Sequence, residues 1–151
     1  LDQHLASVRS NYDFIIIDSP PALGSLTVNA LAAADSVIVP IQCEFFALEG
    51  LAQLLNTIKL IKDTINPKLS IHGFLPTMYS GQHNLSRQVF DELKEHFSKE
   101  LFKYDDDFII VPRSVKLAES PSFGKPIMLY DNRSNGSIAY ENLARAILQG
   151  A

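Results

Sequence analysis

The chain has 151 residues, of which 46% are hydrophobic and 20% charged, and its formal net charge is −4. This composition is typical of a globular domain with its own core. It excludes a disordered chain, and it means that any contact with nucleic acid must come from a local patch. The single cysteine, Cys43, excludes an internal disulfide and a cysteine-rich metal cluster. No apolar run approaches the length of a membrane span.

The first half of the chain alternates predicted helices with short apolar runs. Apolar residues at helical spacing predict helices over 1–10, 26–34 and 47–65. Two uninterrupted apolar runs, Phe14–Ile17 and Val37–Val39, are typical of strands buried on both faces. The first run ends in Asp18 followed by a proline pair, and the second ends in Pro40. Because proline cannot donate to a sheet ladder, we expect each strand to stop there.

The second half continues the alternation. Helical spacing predicts helices over 85–97 and 136–149 and a helical turn over 114–119. Apolar runs predict strands at Ile71–Leu75, before Pro76, and at Phe108–Val111, before Pro112. Residues 127–130 are expected to be a short strand or an extended segment. Strands that alternate with helices indicate an α/β fold with a parallel, doubly wound sheet, and its loop-bearing edge would carry the proline-ended strands.

Asp18 is the first candidate functional residue. It follows the predicted central strand, and in open α/β sheets ligands bind beyond the carboxyl ends of the strands. A carboxylate there suits the Walker B role, in which an aspartate holds Mg²⁺ on the phosphates of a nucleotide. The alternative is an aspartate that caps the next helix or satisfies a turn.

Other reactive side chains carry weaker signals. Cys43 has no histidine near it in the sequence, so we expect a small buried residue rather than a nucleophile. Glu44 and Glu49 follow the second predicted strand, and Glu49 suits the first turn of a helix, where the helix dipole favours negative charge. The histidines have no spacing typical of a zinc site.

Five segments, in order, cover nearly the whole chain and carry a family resemblance. They are YDFIIIDSPPALGSLTVNAL (12–31), VIVPIQCEFFALEGLAQLL (37–55), LPTMYSGQHNLSRQV (75–89), VPRSVKLAESPSFGKPIMLYD (111–131) and GSIAYENLARAIL (136–148). Together they resemble the ParA/Soj family of chromosome- and plasmid-partitioning ATPases, which are relatives of MinD with a deviant P-loop. The resemblance implies a P-loop NTPase fold, with ATP and Mg²⁺ as cofactors.

The resemblance also implies roles for single residues. Asp18 matches the Walker B aspartate, a catalytic residue that reaches Mg²⁺ directly or through water, and Pro20, Pro21 and Gly24 would shape the loop after it. The segments that match those beside the nucleotide base contribute Thr77, Met78, Tyr79, Pro112, Arg113 and Pro121. The alternative for the prolines is a turn with no chemical role.

The family's second implied function is DNA binding without sequence preference. Arg87, Arg113 and Lys116 are the basic candidates in this chain. Relatives often carry arginine in the loop that here holds Gln82 and His83, which is a departure from the family pattern. A solvated helix face is the alternative for Arg87 and Lys116.

The family's phosphate-binding loop, of the KGGxxKT type, has no counterpart here, because Gly124-Lys125 is followed by Pro126. We therefore expect residues 1–151 to be the C-terminal part of one ParA-type ATPase domain, inactive alone. The resemblance implies a cytoplasmic, nucleoid-associated protein that forms an ATP-bound homodimer and has a ParB-type centromere-binding partner but no membrane contact. The alternatives are a MinD-like membrane-site ATPase, which needs a basic C-terminal helix where this chain has only Arg145, and a non-enzymatic half-domain that binds a partner protein.

Overall fold

The computed structural model describes residues 1–20 and 24–150. The chain divides into two compact units: unit 1 comprises Leu1–Val37 and Glu49–His72, and unit 2 comprises Ile38–Leu48 and Gly73–Ala151. The helices are α1 (Asp2–Leu5), α2 (Ser25–Ala33), α3 (Ala47–Thr64), α4 (Asn84–Phe97), α5 (Val115–Glu119), α6 (Ile127–Tyr130) and α7 (Asn135–Gln149). The strands are β1 (Ser36–Gln42), β2 (Ser70–Thr77), β3 (Lys103–Tyr104) and β4 (Asp107–Phe108), and short 3₁₀ turns cover Arg9–Asn11 and Ser120–Phe123.

Strands β1 and β2 pair in a parallel sheet. The Ser70 N–H donates to the Asp35 carbonyl, and further along the Cys43 N–H donates to the Thr77 carbonyl, so residue numbers rise together on both strands. The expectation that proline stops these strands is wrong, because β1 runs through Pro40 and β2 runs through Pro76. A proline lacks only the donor: the Pro76 carbonyl still accepts from the Val111 N–H at 2.9 Å.

The predicted strand at Phe14–Ile17 is not present. The segment has no regular secondary structure, and the exposed fractions of Phe14, Ile15 and Ile16 are 46%, 38% and 92%. A strand forms only through hydrogen bonds to a neighbouring strand, and no described residue forms a ladder with this segment. The segment has the apolar run of a central strand, but the described residues contain no neighbouring strand that pairs with it.

The predicted strand at Phe108–Val111 is two structures rather than one. Phe108 belongs to β4, which pairs with β3 in an antiparallel hairpin. Its two-residue loop, Asp105-Asp106, has φ angles of 50° and 69°, the pattern of a type I′ turn. From Val111 onward the chain instead runs parallel to the end of β2. The expectation of one parallel strand over the whole run is therefore wrong at its start.

The other helices follow their sequence patterns closely, with two exceptions. The predicted helix 1–10 is broken into α1 and a 3₁₀ turn. Residues 127–130 are helical and not extended: the N–H of Tyr130 donates to the carbonyl of Pro126 at 3.0 Å, and that of Asp131 to Ile127 at 2.8 Å. Pro126 precedes the first helical residue with extended backbone angles, so the helix begins directly after it. The apolar run over 127–130 therefore forms one helical turn instead of an extended segment.

One hydrophobic cluster of unit 2 joins β2, the residues that flank the hairpin, and α7. Its buried members are Leu75, Phe102, Ile109, Val111, Ala139 and Leu143. Ser134 caps α7, because its hydroxyl accepts a hydrogen bond from the Ser137 N–H at 3.2 Å. In the part of the chain that the structure describes, every helix is too short or too polar to cross a bilayer.

Candidate nucleotide site

Asp18 lies in unit 1, in the exposed segment that leads to α2. The following residues are tied to that helix by Thr27, whose side chain is 8% exposed. The Ser19 hydroxyl donates to Thr27 Oγ1 at 3.4 Å, and the Thr27 hydroxyl donates to the Pro20 carbonyl at 3.3 Å. Sequence reasoning missed Thr27, and the available signal was a hydroxyl in the first turn of the helix after Asp18-Ser-Pro. Pro21 lies outside the described residues.

The surroundings of Asp18 suit a magnesium ion that is shared with a nucleotide. Among the described residues, no group of three histidine, cysteine or acidic side chains could hold a metal by itself. Magnesium usually takes only one or two carboxylates and completes its octahedron with phosphate oxygens and water. A single exposed carboxylate fits that donor set, and it does not fit a cage made of protein ligands alone.

In unit 2, the structure brings together two of the segments that were expected beside the nucleotide base. The Tyr79 N–H donates to the Val111 carbonyl at 3.2 Å, and the Arg113 N–H donates to the Tyr79 carbonyl at 2.8 Å. Tyr79 and Pro112 form a parallel bridge. Residues 77–79 and 112–113, which are over 30 positions apart in the sequence, therefore lie side by side at the carboxyl end of β2.

Met78 has an unusual backbone conformation in this segment. Its φ is 54°, in the left-handed region that residues with a Cβ rarely adopt. Such a conformation costs about 1 kcal/mol or more, and it persists where neighbouring contacts impose it. Here Thr77 and Tyr79 are each fixed by backbone hydrogen bonds on either side of Met78. The backbone hydrogen bonds of Thr77 and Tyr79 therefore impose the conformation of Met78 in the turn that ends β2.

Pro121 belongs to a separate turn of unit 2. It lies exposed in the 3₁₀ turn Ser120–Phe123, where its carbonyl accepts from the Gly124 N–H at 2.9 Å. Among the described residues, no hydrogen bond joins it to Tyr79 or Arg113. All of these base-side candidates belong to unit 2, whereas Asp18 belongs to unit 1.

The loop after β1 joins the same region of unit 2. Arg113 Nη2 lies 2.5 Å from Glu44 Oε1, and both side chains are about half exposed, 50% and 53%. Cys43 is buried, its carbonyl accepts from the Ser86 hydroxyl at 3.0 Å, and burial raises its pKa to about 11. The expectation that Cys43 is a small buried residue is confirmed. Sequence reasoning missed the partnership of Glu44 with Arg113, because no local pattern links residues 69 positions apart.

The three candidate DNA-binding residues each have a different partner. Arg87, on α4, donates to the side chain of Asn84. Lys116, on α5, pairs with Asp131, and the hydrogen bond between them raises the pKa of Lys116 and lowers that of Asp131. Arg113 pairs with Glu44. Two of the three cations are therefore partly neutralised within unit 2.

Comparison with known proteins gives close matches in sequence. Residues 1–71 match the family model described as AAA domain. The chain is 50% identical over 147 residues to the sporulation initiation inhibitor protein Soj of Bacillus subtilis, covering 97% of this chain and 56% of that protein. It is 50% identical over 145 residues to the chromosome partitioning protein ParA of Myxococcus xanthus, covering 96% and 50%. The chain thus spans about half the length of these relatives.

Solved structures support the same placement. Cobyrinic acid a,c-diamide synthase from Mycobacterium smegmatis, solved with bound ADP and magnesium, is 34% identical with a TM-score of 0.74, over 98% of this chain and 51% of that one. The cell division ATPase MinD of Pyrococcus furiosus shares the fold at 20% identity and a TM-score of 0.76, over 99% and 57%. The fold is therefore the α/β P-loop NTPase fold of MinD and ParA. In sequence, the chain matches proteins of the ParA/Soj family at 50% identity, over about half of their length.

Proposed function

We propose that this chain is part of a ParA-type partitioning ATPase that converts ATP and water to ADP and phosphate. The proposal rests mainly on the position of Asp18. This residue follows an apolar run and is exposed, and Thr27 of α2 forms hydrogen bonds with the two residues after it. In this proposal Asp18 holds Mg²⁺ on the nucleotide, directly or through water. The bound ion supplies charge neutralisation on the phosphates.

The base-side role is proposed for the turn after β2 and its neighbours. Thr77, Met78 and Tyr79 lie beside Pro112 and Arg113, and in this proposal these residues contact the nucleotide base. Pro121 contributes a second apolar face from its own turn. The support is the mutual geometry of the first two segments and the match of all three to the family pattern.

DNA binding is proposed to be phosphate-directed and independent of sequence. Arg87, Arg113 and Lys116 are the contacting residues in this proposal. ATP drives homodimer formation, and a ParB-type protein stimulates hydrolysis in the cytoplasm, on the nucleoid. The support is the 50% identity to relatives named for chromosome partitioning. The chain contains no G-K-S/T motif, so we propose that it binds Mg²⁺–ATP only weakly by itself.

The test is a chimera in which residues 1–151 replace the matching stretch of Bacillus subtilis Soj. We expect Asp18→Asn to lower Mg²⁺-dependent ATP hydrolysis by about 100-fold or more while the fold remains intact. Asp13→Asn is the matched control, because Asp13 is also exposed and lies in the same segment. Near-normal turnover of the Asp18 variant would refute the assignment. A separate calorimetric titration of the isolated chain with Mg²⁺–ATP tests its weak binding.

A further inference from the structure

Unit 2 carries an aromatic platform made of Phe123, which is exposed, and Tyr130, which is partly buried. The two ring centroids are 5.2 Å apart with 31° between the planes, and Phe123 is 63% exposed. The neighbouring side chain of Leu129 is 74% exposed. The exposed ring of Phe123 offers a face on which a planar ligand can stack.

The platform is held in place by hydrogen bonds at both of its ends. The Tyr130 hydroxyl donates to Glu119 Oε2 at 3.2 Å, which fixes the ring of Tyr130. On the Phe123 side, Gly124 adopts a φ of 63°, and the Lys125 N–H donates back to the Ser120 carbonyl at 3.2 Å. The rings are thus preorganised, so a ligand need not order them on binding.

The charges around the platform favour an anionic partner. Lys125 lies two residues after Phe123, Arg133 lies three residues after Tyr130, and both are exposed. Among the described residues neither of these cations is in an ion pair. Of the nearby carboxylates, Asp131 is paired with Lys116, whereas Glu119 accepts from the Tyr130 hydroxyl and keeps its charge, so Lys125 and Arg133 outnumber it. An aromatic surface with two available cations matches a nucleobase with its adjoining phosphates.

We propose that the Phe123–Tyr130 platform binds single-stranded DNA by stacking an unpaired base on Phe123, with Lys125 and Arg133 contacting the flanking phosphates. DNA is favoured because the platform is continuous with a proposed DNA contact: Lys116 pairs with Asp131, the residue after Tyr130. In that respect the inference rests on the proposed function. It goes beyond that function because base stacking requires an unpaired strand, whereas phosphate contacts alone do not.

The experiment measures binding of the whole chain to fluorescein-labelled oligothymidylate by anisotropy at several salt concentrations. We expect Phe123→Ala to weaken binding by about 5- to 100-fold without changing the slope of log affinity against log salt, because stacking releases no counterions. Lys125→Ala should instead make that slope shallower by about 0.7. Phe123→Tyr should retain binding, since it keeps a stacking ring.

The matched control is Phe45→Ala. Phe45 is 74% exposed and lies edge-to-face against Phe46, but its neighbour in the sequence is Glu44. The Phe45→Ala variant should bind oligothymidylate with the same affinity as the parent chain. The inference is overturned if Phe123→Ala binds as tightly as the parent, if Phe45→Ala weakens binding equally, or if oligouridylate binds more tightly than oligothymidylate. A duplex hairpin measured in parallel separates the two proposals, because Phe123→Ala should leave duplex affinity unchanged.

Discussion

The carboxylate of Glu44 lies 2.5 Å from the guanidinium of Arg113, joining the loop after β1 to the segment that follows Val111 and Pro112. Arg113 is thereby oriented beside Tyr79, whose carbonyl accepts from the Arg113 backbone N–H. The pair is about half exposed, so it fixes the position of the guanidinium more than it stabilises the fold. Glu44 therefore controls how much positive charge Arg113 presents to an anion.

We expect Glu44→Gln to raise the affinity for duplex DNA, because it frees the charge of Arg113. The slope of log affinity against log salt should become steeper by about 0.9, one additional phosphate contact. The free energy of unfolding should change by less than about 1 kcal/mol. Anisotropy with a labelled duplex is the measurement. Glu49→Gln, another exposed glutamate close by in the sequence, is the control and should leave the slope unchanged. A slope unaffected by Glu44→Gln would remove Arg113 from the proposed DNA contacts.

The turn between β3 and β4 should be improved by glycine. Asp106 has a φ of 69° in the two-residue loop, and glycine adopts that region without steric cost. Asp106→Gly should therefore raise the free energy of unfolding by about 0.5–1 kcal/mol, measured by urea denaturation. Asp107→Gly serves as the contrast, because Asp107 lies in β4 and glycine there should weaken the strand. Equal effects of the two substitutions would contradict the turn assignment.

Gly136 should not tolerate a side chain. A Cβ at this buried position of α7 would lie 2.7 Å from both Cδ1 and Cγ of Leu117. Gly136→Ala should therefore lower the free energy of unfolding by about 1–3 kcal/mol through overpacking. Gly50→Ala is the matched control, because a Cβ on that exposed residue of α3 meets nothing within 4 Å. It should be neutral or stabilising by up to about 1 kcal/mol. A stabilising Gly136→Ala would mean that the contact with Leu117 is wrong.

Burial of Cys43 should make stability depend on alkaline pH. The thiol ionises at an ordinary pKa of 9.0 when exposed, and at about 11 in the folded chain. The unfolded chain loses its proton first, so this contribution is fully present below pH 9 and is lost as the pH rises from 9 to 11. The slope from this group is at most about 1.4 kcal/mol per pH unit. Urea denaturation of the parent and of Cys43→Ala at several pH values measures the contribution of this thiol to the free energy of unfolding. Parallel profiles of that free energy against pH would contradict the prediction.

The helices were predictable because their pattern is local. In α3, α4 and α7 the apolar residues recur at helical spacing, and the observed ends lie within about a residue or two of those expected from the sequence. Asp18 was predicted as a site residue from the apolar run before it, and the turn after β2 from the family resemblance; both signals are short motifs that can be recognised without the fold.

Strand pairing was decided only by the tertiary structure. Phe14–Ile17 and Phe108–Val111 are both apolar runs, yet the first forms no strand and the second begins in a hairpin and ends beside β2. A strand depends on a partner that lies far away in the sequence, so the run itself contains only half of the information. The same reason explains why the contacts of Thr27 with Ser19 and Pro20, and of Glu44 with Arg113, were not predicted: each is made across a turn or a sheet edge that sequence periodicity does not describe.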